Sequence, residues 1–536
     1  MMGPSLRGRA QVLGTCLSLL VALLTAAWTS ADYQSARSSA RNPGAVSAHL
    51  RWNAPPRTAL QVVLESRPPR PTVTGDSRPN IVLITTDDQT MSDIAWMPHV
   101  RHLIAEQGVT FTHALSPHPL CCPARAEILT GQYAQNNGVR TNAPPLGSFL
   151  RLRSSHTIAT WLHAARYRTA FIGKYLNRFE LAVTPQAGWD IFNPTLDGVY
   201  AYYDYTMFNN GRPKRYQKLY NSDLLARQSS RYIERFSASG QPFFLWASYV
   251  APHGQCAEVH ELTFWKTAVP AHRDARKFSD TRSPSLTDPA FDEDDVSDKP
   301  PDLANNAPVH RGAINERFRS RIRSLQAVDR AVVRTVRTLR RTGELDNTLI
   351  VFTTDNAYLL GEHRRHGKNA PYEQALRIPL MMRGPGVPVG QTRAQTATLL
   401  DLAPTFLRLA EQPANLRIDG RALQPYLEQA SAPGPDTVLI QAGPRPGERT
   451  GWHFRGVRTA RYTYVRYQAT GFTELYDRFL DPAQLRNVAG DPGYTDIENE
   501  LADRTRVLGR CSGEACRARF GRLPEPLPMP LMTPPR

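Results

Sequence analysis

Apolar positions along this chain follow two rhythms. Ile81-Val82-Leu83-Ile84 is a short, unbroken, β-branched run, the pattern of a strand buried on both faces. Thr169–Ile172, Phe243–Val250, Thr348–Thr353 and Ile378–Met382 read as strands in the same way. Helical spacing separates them. Met97–Gln107 carries it up to Gly108, and Thr157–Ala165 repeats it. Asn315–Arg341 is a long helix in which Ile322, Leu325, Val328 and Val332 share the inward face. Its many arginines are read as a solvated face. Strands alternating with helices predict an α/β fold: a large mixed, mostly parallel sheet sandwiched by helices.

The rhythm changes after about Gly420. Val438–Gln441, Arg455–Thr459 and Thr463–Tyr467 are short strands, and Tyr494–Leu508 is a closing helix. They predict a smaller C-terminal antiparallel-sheet subdomain over residues 421–516, after a main domain over 78–420. Residues 32–77 are rich in Ser, Arg, Pro and Ala and read as a flexible lead-in. Residues 271–305 are acidic, lack apolar periodicity and read as a long surface insertion. Residues 517–536 read as an extended Pro-rich tail.

Residues 1–31 have the form of a signal peptide. Arg7 and Arg9 precede an apolar stretch from about Val12 to Trp28, and cleavage is expected after Ala31. Thr15, Cys16 and Ser18 interrupt that stretch, which favours cleavage over a membrane span. Cys16 lies inside the apolar run rather than at its end, against a lipoprotein. The chain is therefore expected to be secreted, extracellular or in the cell envelope, with no membrane segment after cleavage.

The 536 residues and 41% hydrophobic content are ample for a large core. The net charge of +17 comes mostly from arginine. It permits attraction to a polyanion such as a sulfated glycan, but a generally Arg-, Ala- and Pro-rich composition accounts for most of it. No basic, aromatic-interleaved module points to nucleic acid. Of six cysteines, Cys511 and Cys516 are expected to form a small-loop disulfide in an oxidising compartment, with no histidine nearby to favour a metal. Cys122 and Cys256 are read as buried thiols.

Asp87-Asp88 directly follows the first strand, and Asp355-Asn356 directly follows another. Loops at the carboxyl ends of parallel strands are where such sheets build their sites. Each pair alone is as easily a turn. Two of them in one chain point to a hard cation with oxygen ligands, and the lack of a histidine cluster favours Ca²⁺, then Mg²⁺, over zinc.

Residues 121–131, Cys-Cys-Pro-Ala-Arg-Ala-Glu-Ile-Leu-Thr-Gly, resemble the signature of the type I, formylglycine-dependent sulfatases of the alkaline-phosphatase-like superfamily. The resemblance runs over roughly 78–490. It includes Arg78-Pro79-Asn80 leading to Asp87-Asp88, Gly173-Lys174-Tyr175, Ala251-Pro252-His253 and Thr354-Asp355-Asn356. Gly361-Glu362-His363, Gly367-Lys368, Tyr372-Glu373, Arg377-Ile378-Pro379 and Leu475-Tyr476-Asp477 follow in order. Three positions depart from the commonest pattern: Ala124, Ala357, and Leu176 where many members carry a histidine. Lys174-Tyr175-Leu176-Asn177 and the double cysteine resemble the branch containing N-acetylglucosamine-6-sulfatases; arylsulfatases are the other close likeness.

The resemblance implies a chemistry. Cys121 would be converted by a formylglycine-generating enzyme to Cα-formylglycine, whose hydrate attacks sulfur to give a covalent sulfo-enzyme. Asp87, Asp88, Asp355 and Asn356, with residue 121, would hold one Ca²⁺. Arg125 would orient residue 121. Lys174 and Lys368 would bind sulfate oxygens, with Lys368 or His253 protonating the leaving oxygen. The implied substrate is a sulfated sugar such as N-acetylglucosamine-6-sulfate, or an aryl sulfate. Two alternatives compete: a phosphatase or phosphodiesterase of the same superfamily, and a non-enzymatic polyanion-binding protein on this scaffold.

Overall fold

A computed structural model describes residues 76–181, 183–259, 262–265, 267–445, 448 and 451–527. The expected signal peptide, Cys16, almost all of the lead-in, the end of the tail and the side chain of Cys256 lie outside the described residues. Eighteen strands follow in chain order: β1 (Asn80–Thr86), β2 (Val109–Leu115), β3 (Arg168–Gly173), β4 (Ile191–Asp197), β5 (Tyr205–Asn209), β6 (Arg212–Tyr216), β7 (Phe243–Ser248), β8 (Cys256–Val259), β9 (Leu262–Trp265), β10 (Thr348–Thr354), β11 (Leu359–Leu360), β12 (His366–Gly367), β13 (Leu380–Arg383), β14 (Gln391–Thr398), β15 (Thr437–Ala442), β16 (Phe454–Thr459), β17 (Tyr462–Tyr467) and β18 (Thr473–Asp477).

Ten of them form one sheet in the order β14-β2-β13-β10-β1-β7-β3-β4-β5-β6. The centre, β10-β1-β7-β3-β4, is parallel throughout. The antiparallel pairs lie toward the edges. Both faces are buried, as the unbroken apolar runs require. Ile81 and Leu83 enter one core, with Trp161, Leu162 and Phe406 of the overlying helices. Val82 and Ile84 enter the other, with Leu225 and Ile233 of the Asn221–Ser237 helix and Leu325, Val328 and Val332 of the Arg311–Thr342 helix. The expected mixed sheet between helical layers is therefore present.

The expected C-terminal sheet is β15-β16-β17-β18, antiparallel throughout. One face packs Leu439, Val457 and Leu475 against Ile497 and Leu501 of the Thr495–Leu508 helix. The other packs Val438, Ile440 and Phe454 on Leu115 and Leu376 of the main body. A buried fork reinforces this docking: Arg458 Nε and Nη2 reach the two Glu373 oxygens at 2.7 and 2.9 Å. Leu423, Tyr426 and Leu427 still belong to the main core. Cys511 and Cys516 are joined as a disulfide. Cys122 is a buried thiol.

Two expectations need refinement. Residues 271–305, expected as a surface insertion, also contribute buried side chains to the core. Phe291 packs with Phe318, Ile322 and Leu360, and Val296 and Leu303 pack with Leu359 and Tyr372. The segment has no periodicity because short turns, helped by side chains, satisfy its backbone: Asp274 N donates to Ala271 O and Phe291 N to Asp288 O, and Asn315 Oδ1 accepts from Ser283 N. Nor is every charge on the long helix solvated. Arg321 and Asp329 are buried. Arg321 Nη2 donates to Asp88 O at 2.5 Å and to Asp93 Oδ2 at 2.7 Å, and Asp329 accepts from the amides of His99 and Val100.

Candidate active site

The register of β1 with β10 pairs Thr86 with Thr354, so the two acidic dipeptides leave the sheet side by side. Asp355 N donates to Thr86 O, and Asp88 N donates to Asp355 Oδ1 at 3.2 Å. Asp88 takes the left-handed conformation (φ 66°), which Asp tolerates better than most residues. Arg321 anchors its carbonyl from below.

Residues 121–131 form the next wall. Cys121–Thr130 is a helix closed by Gly131 in the left-handed conformation. Cys121 is its first residue, so the positive end of the helix faces the site. Arg125 follows one turn later, fully buried. Its Nε donates to Asp355 Oδ2 at 2.9 Å, and Nη1 donates to Lys174 O at 2.7 Å and Ser248 Oγ at 2.5 Å. Nη2 stands 3.5 Å from Asp87 Oδ2. Arg125 thus ties the helix to four strand ends, those of β1, β3, β7 and β10.

Gly173 ends β3 at φ 100°, and a Cβ there would lie 2.0 Å from Ser248 O. Only glycine permits that approach, which delivers buried Lys174 onto Asp87 Oδ2. Lys368, after β12, reaches Asp88 Oδ1, and its Nζ lies 2.8 Å from Cys121 Sγ. His253 Nε2 stands 3.4 Å from Asp88 Oδ2, while Nδ1 meets Gly254 O at 2.6 Å. Every residue expected at the site is therefore within this one cluster. Sequence reasoning missed Tyr200, whose ring stacks on His253 at 4.3 Å and lies 4.4 Å beneath Lys174 Nζ. Asn177 Nδ2 donates to its hydroxyl at 2.7 Å. Leu176 itself is buried in the core. Tyr200 lies in an irregular stretch, and nothing local marks it.

Charges set the protonation states. Burial alone would raise the Asp87 and Asp88 carboxyls, but Lys174 and Arg125 hold Asp87, and Lys368 holds Asp88, below the ordinary range. Burial pushes the Cys121 thiol up to about 11 despite Lys174 and Lys368, so as cysteine it stays a poor nucleophile. Burial drops His253 to about 4 against the pull of Asp88 and Asp87, which keeps the ring neutral.

The residues fit a metal ion. Ligand atoms of Asp87, Asp88, Cys121 and His253 lie within 4.8 Å of one another, all buried. Asn356 holds Asp88 Oδ1 through Nδ2 at 2.7 Å, and its own Oδ1 is buried with no donor. That orphaned oxygen is the kind of atom a cation satisfies. Three carboxylates, Asp87, Asp88 and Asp355, already face three cations, Arg125, Lys174 and Lys368. A divalent ion would leave the cluster net positive and suited to an anionic ester.

This sheet, with an acidic strand-end cluster facing a helix that begins at a buried cysteine, belongs to a defined class. The sulfatase family profile matches residues 79–412, and the chain belongs to the sulfatase family. A second profile, N-sulphoglucosamine sulphohydrolase, C-terminal, matches residues 361–510. The chain is 32% identical to the putative extracellular sulfatase Sulf-1 homolog of Caenorhabditis elegans, over 69% of this chain and 53% of that relative. An extracellular sulfatase SULF-1 homolog of Drosophila melanogaster is 33% identical, with 33% of its length covered, so the chain spans about half or less of these relatives. Human N-acetylglucosamine-6-sulfatase is 29% identical over 83% of this chain and 86% of that protein. Among solved structures, a protein bound to its substrate D-glucosamine-2-N,6-O-disulfate shares the fold at TM-score 0.67 and 24% identity, over 80% of this chain and 97% of that one. A phosphonate monoester hydrolase from Silicibacter pomeroyi shares it at TM-score 0.58 and 23% identity, over 81% and 95%. The fold alone therefore does not choose between sulfate and phosphonate esters.

Proposed function

We propose that this protein is an exported hydrolase of sulfate monoesters, acting on a sulfated sugar of the N-acetylglucosamine-6-sulfate type. The observation that carries the reading is the helix start: Cys121 at the positive helix end, against two acidic strand ends, with Arg125 bound to both Asp87 and Asp355. Cys121 would be matured to formylglycine by a formylglycine-generating enzyme, and Asp87, Asp88, Asp355, Asn356 and residue 121 would hold Ca²⁺. Formylglycine supplies a nucleophilic hydrate and the cation polarises the sulfate oxygens. The chain's own residues do the rest. Lys174 and Lys368 bind the ester oxygens, and Arg125 fixes residue 121. Lys368, charged and opening toward solvent, holds the proton for the leaving oxygen. Neutral His253, braced by Tyr200, directs the Nε2 lone pair into the site. The relatives named N-acetylglucosamine-6-sulfatase and extracellular sulfatase support the sugar and the export. Among the described residues no helix is long and apolar enough to cross a membrane.

Parallel assays on p-nitrophenyl sulfate and p-nitrophenyl phosphate test the reading. Sulfate-ester turnover is expected to dominate, to vanish with a chelator and to return with Ca²⁺. Dominant phosphate-ester turnover, restored by zinc instead, would sink it in favour of the phosphatase alternative.

A further inference from the structure

A second basic site lies on the flank of the sheet, away from the catalytic cluster. The Asn221–Ser237 helix carries Arg227, Arg231 and Arg235, four residues apart and so on one stripe roughly 12 Å long. All three are exposed, and among the described residues none has an ion-pair partner. Together with Lys214 of β6 they line a cleft of about 530 Å³ between that helix and the β5–β6 hairpin. Among the described residues no carboxylate lines it. Like charges at this spacing oppose helix formation, so the stripe is a local cost without an anion to offset it.

The floor is built rather than loose. Asn193 donates to Tyr232 OH at 2.6 Å and accepts from Asn210 N at 3.0 Å, and Asn210 Oδ1 accepts from Phe192 N at 2.8 Å. Gln228, also lining the cleft, is nine-tenths buried and keeps its amide oxygen without a donor. The helix starts beside the catalytic cluster: Asn221 N donates to Tyr202 O, and Tyr202 OH donates to His253 O at 2.7 Å. It ends shortly before the start of β7, at the amino-terminal end of the parallel strands, opposite the strand ends that carry the cluster. The stripe therefore leads away from the catalytic mouth along the flank.

We propose that this cleft is an accessory binding site for a sulfated polysaccharide chain, one end of which is presented to the catalytic cluster. Arginine forks suit sulfate groups. The unpaired Gln228 oxygen suits a sugar hydroxyl, a donor that inorganic sulfate lacks. The proposal rests on the sulfate-ester reading for its substrate class, but its binding readout does not depend on catalysis.

The test uses Cys121→Ala protein and immobilised heparin, so that turnover does not consume the probe. Adding R227Q, R231Q and R235Q is expected to weaken binding about tenfold or more and to flatten its salt dependence. Adding R334Q, R337Q and R519Q, which removes the same charge elsewhere, is expected to change it less than twofold. In the Cys121 protein, the cleft triple is expected to raise KM for a sulfated polymer and to leave p-nitrophenyl sulfate kinetics unchanged. Equal weakening by both triples, no weakening by either, or duplex DNA displacing heparin as well as free heparin does would overturn the proposal. Loss of all p-nitrophenyl sulfate turnover in the parent protein would instead count against the catalytic reading alone.

Discussion

Cys121→Ala is expected to lower kcat/KM for sulfate esters by about 10⁴- to 10⁶-fold, the scale seen when a nucleophile is removed from a preorganised site. The fold should survive, because only one sulfur atom is lost from a position set by the helix and not by packing of that atom. Cys121→Ser should be nearly as inactive. A serine offers one hydroxyl, and the implied chemistry needs two on the same carbon. The Cys122 thiol, buried and pushed up to about 12, provides no rescue. Cys121→Ala protein that kept wild-type turnover would refute the nucleophile assignment.

Arg125→Ala is expected to be the most damaging single change to stability and activity together. The guanidinium is buried and faces Asp355 and Asp87 while holding the Lys174 carbonyl and Ser248. Removing it leaves two buried carboxylates short of a partner, a situation that costs about 3–5 kcal/mol. It also frees the helix start from the four strand ends it joins. Denaturant unfolding should show a lower midpoint with an unchanged slope, and kcat should fall with it. Arg125→Lys keeps the charge but not the fork, so it should recover part of the stability and little of the activity. Wild-type stability in Arg125→Ala would show that this buried network does not hold the site together.

What the chain reveals unaided follows from how each feature is encoded. Asp87-Asp88 and Asp355-Asn356 were legible because each follows an apolar β-branched run, and the parallel register of β1 with β10 then makes them neighbours. Cys121 and Arg125 were legible because one helical turn fixes their relation. Tyr200 and Ser248 were not, since each reaches the site from an ordinary-looking segment through tertiary packing. Arg321 was hidden among the arginines of its helix, and only the fold separates it from those facing water. Residues 271–305 misled for a related reason: irregular backbone can be packed and closed by successive turns without any period in the sequence. The flank cleft was legible only as excess charge. The positions four apart in the 221–237 helix become a site once the β5–β6 hairpin closes over them.

The proposed chemistry stands or falls on residue 121. Peptide mass spectrometry of the active, native protein across residues 121–125 reads it directly. The expected peptide is one in which the CH₂SH group of Cys121 has been replaced by CHO, with Cys122 unchanged. A peptide carrying an unmodified thiol at Cys121, from protein that hydrolyses sulfate esters, would contradict it.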